Sequence, residues 1–195
     1  MLLMDCRSCS TNLLNALDKQ LIAEMLDLAP GALVNISKIP GLVLADSAAH
    51  PYLVPAAAKA LGKAIASGGI DMTANSIYRT IAQQMLLFQN KGRCGIVAAP
   101  PGDSNHNGGL AIDIEDPYWW QIFLEVAGWK KLGDWDRMHF DFPAANIRAL
   151  SIRALQRLCS KNGIRLAVDG RLGDRSMAAL RQSPIEGFEI ALTPR

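Results

Sequence analysis

"SNHNGGLAIDI", Ser104 to Ile114, is the stretch on which the reading of this chain turns. Its first half is polar and rich in Gly and Asn, the composition of a surface loop. Its second half is a short apolar strand, with Leu110, Ile112 and Ile114 pointing one way and Ala111 and Asp113 the other. Asp113 is the residue that needs an explanation, because a carboxylate in an apolar strand costs several kcal/mol unless a cation meets it. His106 stands seven residues earlier, and Gly108 and Gly109 are expected to let the chain turn tightly between the two. A third candidate, His139, lies in "RMHFDF", where alternation sets Phe140 and Phe142 opposite His139 and Asp141. Catalytic zinc takes three N or O ligands and keeps a fourth place open, and His106, Asp113 and His139 would supply those three. Residue type and spacing alone leave two readings open: a metal site, or a solvated loop running into a strand whose aspartate is paired with a base.

Outward from this stretch, the pattern alternates between helix and strand. From Asn12 to Leu28, Leu14, Leu17, Leu21, Met25 and Leu28 recur at helical steps, with Ser10, Thr11 or Asn12 as the cap and Pro30-Gly31 as the stop. A second helix is predicted over Pro55 to Ser67. A short strand through Ile70, Met72 and Ala74 follows, and then helical spacing after Arg79. Asp116-Pro117 reads as a capping carboxylate and first-turn proline for a helix to about Ala127. Beyond the linker Pro143-Ala144-Ala145 come a helix ending near Gly163, a "VDGRLG" turn and a short helix from about Asp174 to Arg181. Strands and helices without a regular βαβ rhythm predict an α+β fold: a small antiparallel sheet flanked by helices, plus a small C-terminal helical module. The corresponding division is an N-terminal helical segment over 1–40, a catalytic domain over 41–143 and the module over 146–185.

The chain has 195 residues, half of them hydrophobic, enough for a sizeable core. Its longest apolar runs are far below the roughly 20 residues that span a bilayer, so no transmembrane helix is expected. The opening "MLLMDCRSCS" lacks the basic and hydrophobic regions of a secretory signal, and synthesis in the cytoplasm is the expectation. Cys6, Cys9, Cys94 and Cys159 are too few and scattered for a disulfide framework and are expected to be reduced thiols; "CRSC" has no second pair with which to complete a zinc knuckle. Residues 1–142 carry 11 Lys/Arg against 14 Asp/Glu, and residues 143–195 carry 9 against 4. A basic tail on an acidic body points to an anionic partner, a wall polymer or nucleic acid, or else to a solvated helix face.

"SNHNGGLAID" resembles the Ser-x-His-x-x-Gly-x-Ala-x-Asp motif of the zinc D-alanyl-D-alanine carboxypeptidase family, the VanY-like peptidoglycan metallopeptidases. The family also includes phage L-alanyl-D-glutamate endopeptidases. "SIYRTIAQQ" is similar to its Tyr-Arg-Ser/Thr segment and "DRMHFDF" to its Glu-x-x-His element, so the resemblance runs from Asn75 to Phe142. It implies that His106, Asp113 and His139 are zinc ligands, that Asp136 is the general base, that Arg79 stabilises the developing oxyanion, and that Ser104 borders the substrate pocket. Asp136 departs from the family, which has Glu there, and is a methylene shorter; Asp141 is a rival for the base or for a supporting role. His50 matches no ligand motif and reads as structural. Trp119, Trp120, Trp129 and Trp135 read as core or cleft wall.

The tail "IRALQRLCSKNGIRLAVDGRLGDRSMAAL" resembles the small three-helix peptidoglycan-binding module, through Leu155, Gln156, Asp169, Gly170, Gly173 and Ser176. A helical hairpin packed on the catalytic domain is the other reading of this region. Together the resemblances imply a zinc peptidase of the peptidoglycan stem peptide, monomeric, acting on the cell wall after release, with neither nucleic acid nor membrane as partner. The bond is either the terminal D-Ala-D-Ala or the internal L-Ala-D-Glu. The alternatives are a zinc-containing wall-binding protein without turnover and a nucleic-acid protein using the basic tail.

Overall fold

A computed structural model describes residues 1–189. The architecture is α+β, with six α-helices and two small sheets among the described residues. The described residues form two compact units that are not contiguous in sequence: a helical unit of Met1–Leu28, Thr80–Ser104 and residues 148–189, and a sheet-bearing unit of Ala29–Arg79 and Asn105–Ile147. This division runs across the sequence boundaries drawn above, because residues 80–104 share a core with both ends of the chain.

In the helical unit, α1 (Asn15–Leu28) follows a 3-10 turn over Asn12–Leu14 and packs chiefly on α5 (Arg148–Lys161). α3 (Ile81–Cys94) and α6 (Asp174–Arg181) complete the core. Leu14, Leu17 and Leu21 meet Ile81, Met85, Leu86, Leu155, Leu158 and Leu180 there, all of them buried. The helical periodicity of each segment is what places these residues on inward faces. Thr80 caps α3 by accepting a hydrogen bond from the Gln83 N–H, and its hydroxyl donates to buried Asp18 at 2.6 Å. Cys9 and Cys94 form a disulfide, which corrects the expectation that all four thiols are reduced; Cys6 and Cys159 are free and buried. The two bonded residues are 85 positions apart, and only the packing of the N-terminal segment on α3 brings them together.

The sheet-bearing unit holds β1 (Val34–Asn35) paired with β3 (Tyr52–Leu53), and a five-stranded sheet. The strands of that sheet are β2 (Leu42–Leu44), β4 (Met72–Ser76), β5 (Ala111–Ile114), β6 (Lys130–Lys131) and β7 (His139–Asp141). Their spatial order is β2-β4-β5-β7-β6. All pairs are antiparallel except β2 with β4, which are parallel. That exception arises because α2 (Pro55–Gly68) lies in the connection between them, and a parallel pair requires such a crossover. α4 (Pro117–Val126) packs against α2 at Gly68, where an added Cβ would stand 2.1 Å from the Trp120 ring. Asp116 precedes α4 in the left-handed region, φ 51°, and its side chain makes no capping bond, contrary to the capping carboxylate expected. Its carbonyl oxygen instead accepts from the N–H groups of Trp119 and Trp120. Trp120 and Trp129 are core residues, whereas Trp119 and Trp135 are exposed.

Candidate metal centre

The middle of the sheet sets three polar residues in a row. Register places Ser76 opposite Asp113 across β4 and β5, and Asp113 opposite His139 across β5 and β7. Side chains alternate along a strand, so these three share one face while Ile112, Ile114 and Phe140, all fully buried, fill the other. His106 arrives from a 3-10 turn over Asn105–Gly108 that leads into β5. Of the two glycines expected to make that turn, Gly109 alone has positive φ, 63°, and a Cβ there would lie 2.5 Å from Leu33. His50 serves through its backbone, its carbonyl accepting from Tyr52 and Tyr78.

Three donor atoms converge. His106 Nε2 is 3.2 Å from His139 Nδ1 and 3.3 Å from Asp113 Oδ1, and His139 Nδ1 is 3.0 Å from Asp113 Oδ1. Tetrahedral ligands with bonds of about 2.0–2.1 Å lie roughly 3.3 Å from one another, so this triangle has the dimensions of one face of a zinc site. Among the described residues, no other set of three His, Cys, Asp or Glu donors is so grouped. The remaining ring nitrogens are also assigned: His106 Nδ1 donates to the Ile77 carbonyl at 2.7 Å, and His139 Nε2 meets Asp141 Oδ1 at 2.8 Å. Such partners fix ring orientation and aim the other nitrogen's lone pair at a metal. Asp141, the rival for the base, therefore orients His139, and Asn105 in turn bonds its carboxylate.

Electrostatics fit this arrangement. Burial alone would raise the Asp113 carboxyl, but His106, His139 and Arg79 hold it well below the usual carboxylate range. Burial, helped by the charge of Arg79, lowers His106 against the opposing pull of Asp113. For His139 burial acts downward, yet the hydrogen bonds and charges of Asp113 and Asp141 prevail and push it up to about 9. Its Nδ1 proton thus sits among the three donors, in the place where a metal ion would bind.

Arg79 follows β4 and is largely buried; its Nη2 donates to Asp113 Oδ2 at 3.1 Å and to Ser76 Oγ at 3.0 Å. Its backbone is fastened to the ligand loop, since Arg79 N donates to the His106 carbonyl and Asn107 Nδ2 donates to the Arg79 carbonyl. Asp136 is half-buried on the turn that enters β7, where its backbone carbonyl accepts from His139 N. Its carboxyl is raised by burial and by the charge of Asp113, against the opposing pull of His139, His106 and Arg79. Ser104 is buried and is the last residue of the central segment of the helical unit, two positions before His106. Sequence reasoning missed Ser76, Ile77 and Asn107. The register pairing that selects Ser76 and the carbonyl of Ile77 leave no mark in side-chain pattern, although Asn107 directly follows a candidate ligand.

The sheet-bearing unit thus gathers two histidines and an aspartate that could hold a metal ion, beside an arginine and a second carboxylate. Residues 50–139 match the VanY family model, D-alanyl-D-alanine carboxypeptidase, the family whose motifs this stretch resembles. A comparison with curated protein sequences gave no match. Among solved structures, "Structure of the LdcB LD-carboxypeptidase reveals the molecular basis of peptidoglycan recognition" is similar at 20% identity and a TM-score of 0.46, covering 72% of this chain and 76% of that one.

Proposed function

We propose that this protein is a zinc-dependent peptidase that cuts the stem peptide of peptidoglycan, with His106, Asp113 and His139 as the ligands. The observation that carries the proposal is the donor triangle, with edges of 3.0–3.3 Å and with the far nitrogen of each histidine already engaged. Bound zinc would polarise the scissile carbonyl and acidify the attacking water. Asp136 takes the proton of that water and later returns it to the leaving amine; a carboxyl raised from its ordinary value is better matched to this exchange near neutral pH. Arg79 supplies fixed positive charge where the oxyanion develops.

The proposal extends to where and on what the enzyme works. The tail from Asn146 to Ile185 holds the enzyme on the wall. Gln156 staples the Asp-Gly turn there by donating to Asp169, Arg171 and Ser176 and accepting from Gly170 N, beside an open cavity of about 340 Å³. The enzyme acts after it has left the reducing cytoplasm, a placement that the Cys9–Cys94 disulfide supports. The deciding experiment digests purified peptidoglycan and identifies the new ends by mass spectrometry. Free D-Ala marks carboxypeptidase action, and a new D-Glu amino terminus marks endopeptidase action. Neither product, together with retention on the wall, would leave a zinc-containing binding protein.

A further inference from the structure

The two oxygens of Asp113 are used unequally. Oδ1 faces both histidine nitrogens, at 3.3 and 3.0 Å, while Oδ2 accepts from Arg79 Nη2 at 3.1 Å. The same Nη2 donates to Ser76 Oγ at 3.0 Å, which assigns both hydrogens of that nitrogen. Ser76 is where it is because of the sheet: it is the register partner of Asp113, and the β4–β5 pairing is irregular between Ala74 and Ser76. A carboxylate can ligate a metal through one oxygen or through two, and a free Oδ2 would leave Asp113 able to do either.

We infer that Ser76 and Arg79 form a positioning pair that confines Asp113 to ligation through Oδ1 alone. The guanidinium occupies Oδ2, and the serine hydroxyl fixes the guanidinium. The consequence concerns how open the site is. Three donors from the protein leave room for water and a substrate carbonyl, whereas a fourth oxygen would fill one of those places, which is the difference between an open catalytic site and a closed structural one. Ser76 touches neither metal nor substrate in this scheme and acts through Arg79.

The inference rests on the metal-site reading, and the test separates the two. Cobalt(II) replaces zinc in the full chain, and its visible absorption band, which weakens as coordination rises above four, is compared in wild type, Ser76→Ala, Ser76→Thr and Arg79→Met. Ser76→Ala is expected to bind one cobalt ion with a weakened band and to lower kcat about tenfold at unchanged KM. Ser76→Thr, which keeps the hydroxyl, restores both. Arg79→Met, which cannot donate at all, gives the weakest band and carries the test if Ser76→Ala folds poorly. A wild-type band in Ser76→Ala and Arg79→Met overturns the inference and leaves the metal site standing. A wild-type chain that takes up no cobalt overturns the metal-site reading itself.

Discussion

The proton that His139 holds between the other two donors makes a quantitative demand on metal binding. With this imidazole pushed up to about 9, nearly every metal-free molecule carries the proton at pH 7, and an incoming ion must displace it. The displacement spans two pH units, about 2.7 kcal/mol at 1.36 kcal/mol per unit, so the apparent affinity at pH 7 is roughly 100-fold below its value in alkaline solution. The sign follows from competition: affinity rises about tenfold per pH unit from pH 7 and levels off as the pH passes about 9. His106, lowered from its ordinary value by burial and by Arg79, is expected to add no second proton near neutrality. The assay is zinc titration against a chromophoric chelator at several pH values, with calorimetry in buffers of different ionisation enthalpy to count protons. Close to one proton should be released per zinc at pH 7, and about half of one at pH 9. Asp141→Asn removes one of the two carboxylates that retain the proton, and should lower the count at pH 8. An affinity that is flat from pH 7 to 8.5, or a proton count near zero at pH 7, refutes the reasoning.

Asp136→Asn should cut turnover by a factor of about 10² to 10⁴ and leave zinc stoichiometry unchanged; full activity would remove Asp136 as the base. Gly109→Ala places a Cβ 2.5 Å from Leu33 at a φ of 63°, and should cost about 2–3 kcal/mol in urea unfolding while weakening zinc uptake. Replacing Cys9 and Cys94 by serine opens a crosslink spanning 85 residues, whose chain-entropy limit is about 4.5 kcal/mol. A loss of about 2–4 kcal/mol, read as a lower melting temperature for the double variant, is the expected result.

The site was more legible in the sequence than the division of the chain. Asp113 announced itself because an acidic residue in an apolar strand demands a partner, and the alternation in "RMHFDF" put His139 on a matching face. Most helices were visible for a similar reason: their apolar periodicity is local, and α6 falls where its pattern placed it. What periodicity does not encode is which apolar face meets which. Leu17 and Leu155 are each the inward side of an amphipathic helix, and nothing in either segment names the other as its neighbour. The grouping of residues 80–104 with both chain ends, and with it the approach of Cys9 to Cys94, was hidden for that reason. Gly108 and Asp116 failed differently, because backbone conformation was inferred there from residue preference: of the glycine pair only Gly109 takes positive φ, and Asp116 takes it without capping α4.

The cross-strand row of Ser76, Asp113 and His139 makes this centre a gauge of sheet assembly. A one-residue slip of β7 along β5 would set Phe140 opposite Asp113 and turn His139 to the far face. A slip of β4 would withdraw Ser76 from its place beside Asp113. Only a chain with β5 and β7 in native alignment offers Asp113 and His139, with His106, to one ion, so an ion that binds it draws conformers misaligned there toward that alignment. Zinc uptake during refolding would therefore time the locking of the sheet, as a signal separable from the formation of the helical unit.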